Sequence, residues 1–203
     1  MRRLLVTTFV TLDGVMQAPG GPGEDDEGGF AYGGWSVTFW DDRMAEVMGE
    51  ATAKPFAMVL GRRTFEIMAA YWPTAPDEAG GAVFNAATKY VASHTRPALE
   101  TWPNSVWIDG DAAKGLAKLK QDDGPELQVH GSANLIQTLL RANLIDEFRL
   151  WVFPVVIGSG KRLFAEGTIP AALRLVDNTV SSTGVVIGTY QPAGEIETGS
   201  FGG

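Results

Sequence analysis

Short apolar segments alternate with segments of helical period along most of this chain, and apolar segments then follow one another near its C-terminal end. The early apolar segments are rich in branched and aromatic residues, as buried strands are, and they lie at 4–10, 55–60, 89–93, 105–108 and 126–130. Helical period marks 41–53, 61–72 and 132–144, and Asp111 is placed to cap a helix that ends near Lys120. This order predicts an α/β fold with a mostly parallel central sheet, flanking helices and an antiparallel C-terminal edge.

The C-terminal apolar segments would supply that edge. A long strand is predicted over 146–158, with a bulge or bend at Pro154, because proline cannot donate a hydrogen bond to a neighbouring strand. Two further strands, 173–180 and 183–190, are separated by Ser-Ser-Thr, as in a hairpin. The sequence shows no repeat and no linker, so residues 1–192 are predicted to form one domain, with 17–40 as a long Gly-rich loop and a candidate lid. Residues 193–203 are expected to be a flexible tail.

Charge and composition exclude several classes of function. The formal net charge is -8, and an acidic surface repels phosphates, so nucleic acid is not an expected partner. The chain has no cysteine, which rules out disulfides, zinc-thiolate sites and thiol catalysis. Only His94 and His130 are present, and no metal site is expected. No segment approaches the length of a membrane span, so the expectation is a cytoplasmic protein without a membrane partner.

The segment MVLGRRTFE (58–66) is the first of three junctions where chemistry could be located. Gly61 follows a buried strand and a helix then begins, so backbone N–H groups at the helix start could attract phosphate. Arg62 and Arg63 add fixed positive charge that can bind phosphate in a bidentate manner. The alternative interpretation is an ordinary helix start with solvated arginines.

Two other strand ends carry small residues, hydroxyls or arginine. In QVHGSANLIQ (128–137), a strand leads through Gly131 into small residues that let a ligand approach the backbone, and taken alone the pattern is more typical of a simple tight turn. In VASHTRP (91–97), a ribose 2′-phosphate could be held by Ser93, Thr95 and Arg96, and the alternative is a polar surface loop. Since the carboxyl ends of parallel strands meet at one edge of a sheet, the three junctions together predict a site for an extended phosphorylated ligand.

Three segments of the chain resemble known reductases. LGRRTFE (60–66) looks like the Gly-Arg-x-Thr-aromatic-Glu segment of dihydrofolate reductases, and TLDGVM (11–16) resembles the Ser-Leu-Asp-Gly opening of the reductase domain of the riboflavin-biosynthesis deaminase-reductase. Residues 130–164 are similar to that reductase family's most characteristic stretch, in which a Gly-rich turn, a helix ending Leu-Ile-Asp-Glu and a strand running into Pro-Val-Val-x-Gly-x-Gly follow one another. Over most of residues 1–190 the chain therefore resembles a stand-alone, dihydrofolate-reductase-like protein without the deaminase half.

That resemblance implies an NADPH-dependent reductase that transfers hydride from nicotinamide to a small organic substrate, and it implies a homodimer. It places the adenosine phosphates and the pyrophosphate at Gly61, Arg62, Arg63 and Thr64. It places the 2′-phosphate at Ser93 and Arg96, and the pyrophosphate and nicotinamide ribose at Gly131, Ser132, Ala133 and Asn134. The nicotinamide would lie near Phe9, Val10 and the turn at 13–16.

Catalytic and substrate-binding candidates lie around the first loop. Asp13 is the candidate proton donor, provided that desolvation raises its pKa, and the alternative is that it stabilises the turn before Gly14. Thr11 could donate a hydrogen bond to the substrate or to Asp13. The substrate-binding candidates are Met16, Trp40, Met68 and Trp72, of which the tryptophans could stack on a planar ring or instead close the loop over the core. His130 is interpreted as a satisfied core histidine or a base, and the acids at 24–27 as solvated loop residues.

Two other functions stay open at this stage. A riboflavin-pathway reductase, acting on a ribosyl phosphate, needs basic residues near its substrate, and 17–42 contains neither Lys nor Arg. Such residues would have to come from elsewhere, for example from Lys161 or Arg162. The second alternative is a binding or sensing protein that keeps a nucleotide-binding fold without catalysis, since a fold does not establish an activity.

Overall fold

One eight-stranded sheet forms the centre of the computed structural model, which describes residues 1–202. The strands are β1 (Leu4–Thr11), β2 (Phe56–Gly61), β3 (Thr88–Ser93), β4 (Ser105–Asp109), β5 (Glu126–His130), β6 (Glu147–Phe153), β7 (Leu173–Val180) and β8 (Val186–Pro192). The α-helices are α1 (Asp42–Thr52), α2 (Arg62–Ala69), α3 (Gly81–Ala86), α4 (Ala112–Gln121) and α5 (Ala133–Arg141). None of these helices combines the length and the apolar character needed to cross a membrane.

The strand order is β4-β3-β2-β5-β1-β6-β8-β7. The first six strands in this order pair in parallel, and β8 pairs antiparallel with both β6 and β7. The predicted fold class is therefore confirmed, including the antiparallel C-terminal edge. The carboxyl ends of β1, β2, β3, β5 and β6 all lie at the same edge of the sheet.

The two faces of the sheet are packed differently. Helices α4 and α5 cover one face, where Leu116, Ile136 and Leu139 join a continuous core with alternate residues of β1, β2, β5 and β6. Helices α1, α2 and α3 lie on the other face, which carries two separate clusters. Phe65 and Phe84 belong to the cluster under α2 and α3, and Met44 belongs to the cluster under α1.

Several helices and strands end earlier than the sequence predicts. The helix predicted over 61–72 ends at Ala69, and a short 3-10 turn at Trp72–Thr74 contains Pro73, which disfavours helical geometry in the residue before it. The helix predicted over 132–144 ends at Arg141, and Asn143 just beyond it is left-handed with φ 51°. The strand predicted over 146–158 stops at Phe153, directly before Pro154.

Sequence reasoning missed helix α3 altogether. It has only six residues, too few for a helical period to stand out. It begins at Gly81, where a Cβ atom would lie 2.2 Å from the carbonyl oxygen of Ala75, so the close approach of the two backbones requires glycine.

Candidate functional site

The strand ends of β2 and β5 meet directly. The backbone N–H of Gly61 donates a hydrogen bond to the Ser132 hydroxyl at 2.8 Å. A Cβ atom on Gly61 would lie 3.2 Å from the Ser132 oxygen, so a residue larger than glycine at position 61 would press on Ser132. The first two predicted junctions therefore form one continuous surface, and Ser132 has a defined partner within it.

The strand end of β3 joins them through Arg62. Its guanidinium donates to the Thr95 hydroxyl at 2.5 Å and to the Glu66 carboxylate at 2.7 Å. Arg96 lies exposed in the same loop, and Ser93 lies at the last position of β3. The structure thus brings all three predicted junctions to one edge of the sheet, with Arg62 held across two of them.

The turn that leads into α5 has an unusual backbone. Gly131 and Ser132 are both left-handed, with φ values of 67° and 69°. A non-glycine residue in this region costs about 1–2 kcal/mol, and such strain clusters at functional sites. Ala133 and Asn134 then begin α5, so the turn and the helix start present consecutive backbone N–H groups of the kind that bind anions.

A cavity of about 270 Å³ opens beside this turn. It is lined by Ala133, Asn134, Gln137, Gly160, Lys161, Arg162, Ala165 and Glu166. Lys161 and Arg162 are the basic residues that sequence reasoning required from outside the first loop, and the fold delivers them to the start of α5. The cavity therefore combines backbone N–H groups with two cations.

Asp13 is held as an ionised carboxylate. It accepts hydrogen bonds from the Thr11 hydroxyl at 2.5 Å, from the backbone N–H groups of Ile157 at 3.2 Å and Gly158 at 2.8 Å, and it lies 3.4 Å from Arg162. These contacts, the Thr11 hydroxyl foremost, lower the pKa of Asp13 to about 2. The raised pKa that a general acid would need is absent, and the contacts favour the alternative in which Asp13 stabilises the turn.

Thr11 is committed to the same turn. Its side chain is buried, and its hydroxyl donates to Asp13 and accepts from the Val15 N–H at 2.9 Å. Of its two predicted roles, the contact with Asp13 is therefore the one present in the structure.

The four substrate-binding candidates are not brought together. Trp40 is 46% exposed, and its ring lies parallel to that of Trp151, with the ring centroids 6.2 Å apart. Met68 and Trp72 pack instead in the cluster under α2 and α3, and Trp72 lies 4.2 Å from the Phe84 ring. Met16 is buried in the core of the opposite face. Among the four, Trp40 alone presents a large exposed ring.

The first loop is tied to the segment that carries the basic residues. The Lys161 ammonium group contacts the carboxylates of Asp25 and Glu27, each at 2.6 Å, and Arg63 lies 3.9 Å from Asp25. Gln17 accepts the Lys161 N–H at 3.0 Å. The interpretation of the acids at 24–27 as solvated residues was wrong for Asp25, which is buried and paired. Charge alone gave no signal for this, because its partner lies more than a hundred residues away in the chain.

His130 lies at the end of β5, just before the left-handed turn. Its Nε2 atom is 3.0 Å from the Gln128 side-chain oxygen, and burial lowers its pKa to about 4, so the ring is neutral at pH 7. These features match a satisfied histidine rather than a base. Sequence reasoning missed three residues that line a cleft beside it, Thr7, Arg149 and Thr189. The sequence feature that could have pointed to them is a polar side chain among the apolar residues of a strand.

The fold and this strand-end site define a dihydrofolate-reductase-like α/β protein. The RibD C-terminal domain family matches residues 2–187, so the chain belongs to that family. The Bacillus subtilis (strain 168) protein YyaP is 29% identical to it over 189 residues, which cover 91% of this chain and 92% of YyaP. Family membership supports a reductase-type function.

Solved structures show the same fold at low sequence identity. A Shewanella sp. PV-4 protein named for riboflavin biosynthesis superposes with a TM-score of 0.68 and 18% identity, covering 94% of this chain and 99% of the other. Dihydrofolate reductase from Enterococcus faecalis, complexed with NADP(H), superposes with a TM-score of 0.59 and 15% identity, covering 94% and 96%. Both likenesses confirm the fold class predicted from the sequence.

Proposed function

We propose that this protein is an NADPH-dependent reductase that transfers hydride to a small organic substrate. The observation that carries the proposal is the convergence of three strand ends on one edge of the sheet, fastened by the contacts from Gly61 to Ser132 and from Arg62 to Thr95. An extended phosphorylated cofactor needs anion-binding groups spaced along such an edge. The junctions at 61–64 and 131–134 supply one set of anion-binding groups, and the junction at 93–96 supplies a second set at another point along the edge.

The residues present fit the cofactor's phosphates. The left-handed pair Gly131–Ser132 and the start of α5 would hold the pyrophosphate, and Arg62, Ser93 and Arg96 would hold the adenosine end with its 2′-phosphate. Lys161 and Arg162 line the cavity at the α5 start, but Lys161 is paired with Asp25 and Glu27 and Arg162 with Asp13, so the backbone N–H groups there would be the main partners of the pyrophosphate.

When bound, the nicotinamide supplies a hydride to a C=N or C=O acceptor. The protein's own groups orient the reactants and shape the site. Asp13, ionised at neutral pH, fixes the first turn against residues 157–158 and does not serve as the proton donor. We therefore assign the proton to bound water.

The test is a titration of the protein with NADPH and NADH, followed by nicotinamide fluorescence. Arg96→Ala and Arg62→Ala should each weaken NADPH binding roughly 10-fold or more, because each removes a charge-assisted hydrogen bond to phosphate. Arg96→Ala should affect NADH little. The matched control is Arg174→Ala, because Arg174 is an exposed arginine on β7 that contacts Gln191. It should leave the affinities for NADPH and NADH unchanged. Absence of binding of either nucleotide at millimolar concentration would contradict the proposal.

Two alternatives are separated by further measurements. A riboflavin-pathway reductase is favoured by the position of Lys161 and Arg162 at the cavity, and it would consume NADPH only with a ribosyl phosphate substrate. A binding or sensing protein would hold NADPH and consume none with generic carbonyl or quinone acceptors.

We also propose a homodimer, supported by an apolar surface on β7 and β8. In the strand register, Leu175 pairs with Tyr190, and Val180 pairs with Val186. Leu175 and Val180 project to the same face of the sheet as α5, and they are 51% and 57% exposed. An exposed apolar strip of this kind marks an interaction surface. Leu175→Asp should convert a dimer to a monomer in light scattering after size exclusion.

A further inference from the structure

An exposed acidic side chain lies at the adenosine end of the proposed cofactor site. Asp109 is the last residue of β4, and in the strand register it lies opposite Ser93, the last residue of β3. Residues that lie opposite each other on neighbouring strands project to the same face of a sheet. The carboxylate of Asp109 and the hydroxyl of Ser93 are therefore side by side at the carboxyl end of the sheet.

Both side chains project to the face of the sheet that α2 covers. Val91 precedes Ser93 by two positions on β3 and belongs to the apolar cluster under α2 and α3. Because side chains alternate between the two faces along a strand, Ser93 has the same direction as Val91. Asp109 shares this direction through the register, and Arg62 begins α2 on the same face.

Hydrogen bonds fix the end of β3 against its neighbours. The indole N–H of Trp107 donates to the Ser93 carbonyl oxygen at 2.9 Å, which holds β4 to this strand end. The Ser93 hydroxyl accepts the Thr95 N–H at 3.4 Å, and the Thr95 hydroxyl accepts from Arg62 at 2.5 Å. In this arrangement the Ser93 hydroxyl can still donate its own hydrogen. A phosphate that accepts this hydrogen would lie next to Asp109 as well.

Asp109 has no counter-ion of its own. Its side chain is exposed, and within residues 1–202 it forms an ion pair with no lysine, arginine or histidine. The basic side chains of the neighbouring helices have other partners, since Arg62 pairs with Glu66 and Lys114 of α4 pairs with Asp111. The negative charge of Asp109 is thus uncompensated beside the residues that would hold the 2′-phosphate.

A carboxylate in this position opposes a phosphate but not a hydroxyl. Neighbouring strands are about 4.8 Å apart, so a phosphate bound to Ser93 would lie on the order of 5–8 Å from the Asp109 carboxylate. Like charges at this distance repel, whereas a ribose hydroxyl is neutral and can donate a hydrogen bond to a carboxylate. Asp109 should therefore weaken the binding of a 2′-phosphorylated nucleotide about 3- to 10-fold and should not weaken the binding of its unphosphorylated counterpart.

We propose that Asp109 is a specificity-determining residue that narrows the preference for NADPH, so that the protein also accepts NADH as its hydride donor. Arg62 and Arg96 favour the 2′-phosphate, and Asp109 offsets part of their effect. The affinities for NADPH and NADH are then within roughly 30-fold of each other, whereas two arginine contacts alone would separate them by about 100-fold. The inference rests on the proposed reductase function, because it concerns the cofactor of that reductase.

Two substitutions of Asp109 test the effect of its charge, with binding followed by nicotinamide fluorescence. Asp109→Asn keeps the side-chain shape, and it should strengthen NADPH binding about 3- to 10-fold and leave NADH binding unchanged. Asp109→Lys should strengthen NADPH binding further, because it places a cation beside the phosphate. Asp177→Asn is the matched control, since it removes the same charge from an exposed residue of β7, at the opposite edge of the sheet from β4. It should change neither affinity.

Ionic strength separates a charge effect from a structural one. Salt screens the repulsion between exposed charges, so the gain in NADPH affinity from Asp109→Asn should shrink at high salt. A change in the shape of the site would weaken or strengthen both nucleotides at any salt concentration. Folding of each variant is checked by its unfolding midpoint in urea.

Two fragments isolate the adenosine end, namely adenosine 2′,5′-bisphosphate and adenosine 5′-monophosphate, which differ only in the 2′-phosphate. In calorimetry, Asp109→Asn should strengthen binding of the bisphosphate as it does that of NADPH, and it should leave the monophosphate unchanged. Equal changes for NADPH and NADH, no change for either, or a preference of the unsubstituted protein for NADPH above about 100-fold would overturn the proposal.

The failure of this proposal can be told apart from the failure of the proposed function. If neither dinucleotide binds while the bisphosphate shows the expected gain, the reductase function and the use of NADH fail, and the discrimination against phosphate by Asp109 stands. If NADPH binds and is weakened by Arg96→Ala while Asp109→Asn changes nothing, the assignment of Asp109 alone fails.

Discussion

The two faces of the sheet differ in how continuously their apolar side chains pack. Under α4 and α5, Val6, Val59 and Val129 join one continuous apolar core. Under α1, α2 and α3, the apolar clusters are separate, and the polar side chains of Thr7, His130, Arg149 and Thr189 lie beside the cluster under α1. Continuous packing maximises the apolar area removed from water, whereas an interrupted face sacrifices part of that area and gains a place for a ligand. The first face is therefore expected to contribute more to stability than the second.

The largest expected effect tests the stability of the first face. Ile136 is completely buried on the sheet-facing side of α5, and Ile136→Ala should lower the free energy of unfolding by about 2–5 kcal/mol because it leaves a cavity. Thr7→Val on the second face should change it by less than about 1 kcal/mol. Urea unfolding of both variants measures the difference. Equal costs would remove the contrast between the faces.

A pH dependence should distinguish the second face. Burial lowers the pKa of His130 to about 4, so the unfolded chain takes up a proton near pH 6.5 that the folded protein refuses. Stability should therefore fall as the pH drops from 6.5 to 4, by about 3 kcal/mol. Urea unfolding at several pH values measures this, and His130→Gln should flatten the profile in that range. A variant profile parallel to that of the wild-type protein would show that His130 is not the cause.

A substitution in the strand-end turn should affect stability less than Ile136→Ala does. Gly131 has φ 67°, and a Cβ atom there would meet Thr64 at an ordinary 3.6 Å, so Gly131→Ala introduces backbone strain without a clash. The expected cost is about 1 kcal/mol. Gly199→Ala in the C-terminal segment, where a Cβ atom meets nothing, is the control. If Gly131→Ala lowers the free energy of NADPH binding by more than it lowers the free energy of unfolding, the turn belongs to the cofactor site.

The same contrast explains what could be predicted from the sequence. The strand ends were recognisable because their residues are consecutive in the chain, as in Gly61-Arg62-Arg63 and Gly131-Ser132. The polar side chains under α1 could not be predicted to meet, since Thr7, His130, Arg149 and Thr189 come from four strands and are neighbours only through the strand register. The lowered pKa of Asp13 could be predicted only in part, since its main cause, the Thr11 hydroxyl, is a near neighbour in the chain, whereas the N–H groups of Ile157 and Gly158 come from a distant segment.

Amide hydrogen exchange with and without NADPH tests most directly whether the strand ends form the cofactor site. If the strand ends form the cofactor site, NADPH should add protection at 61–64, 93–96 and 131–134 and leave β7 and β8 unchanged. Protection confined to other segments, or none at saturating NADPH, would contradict it.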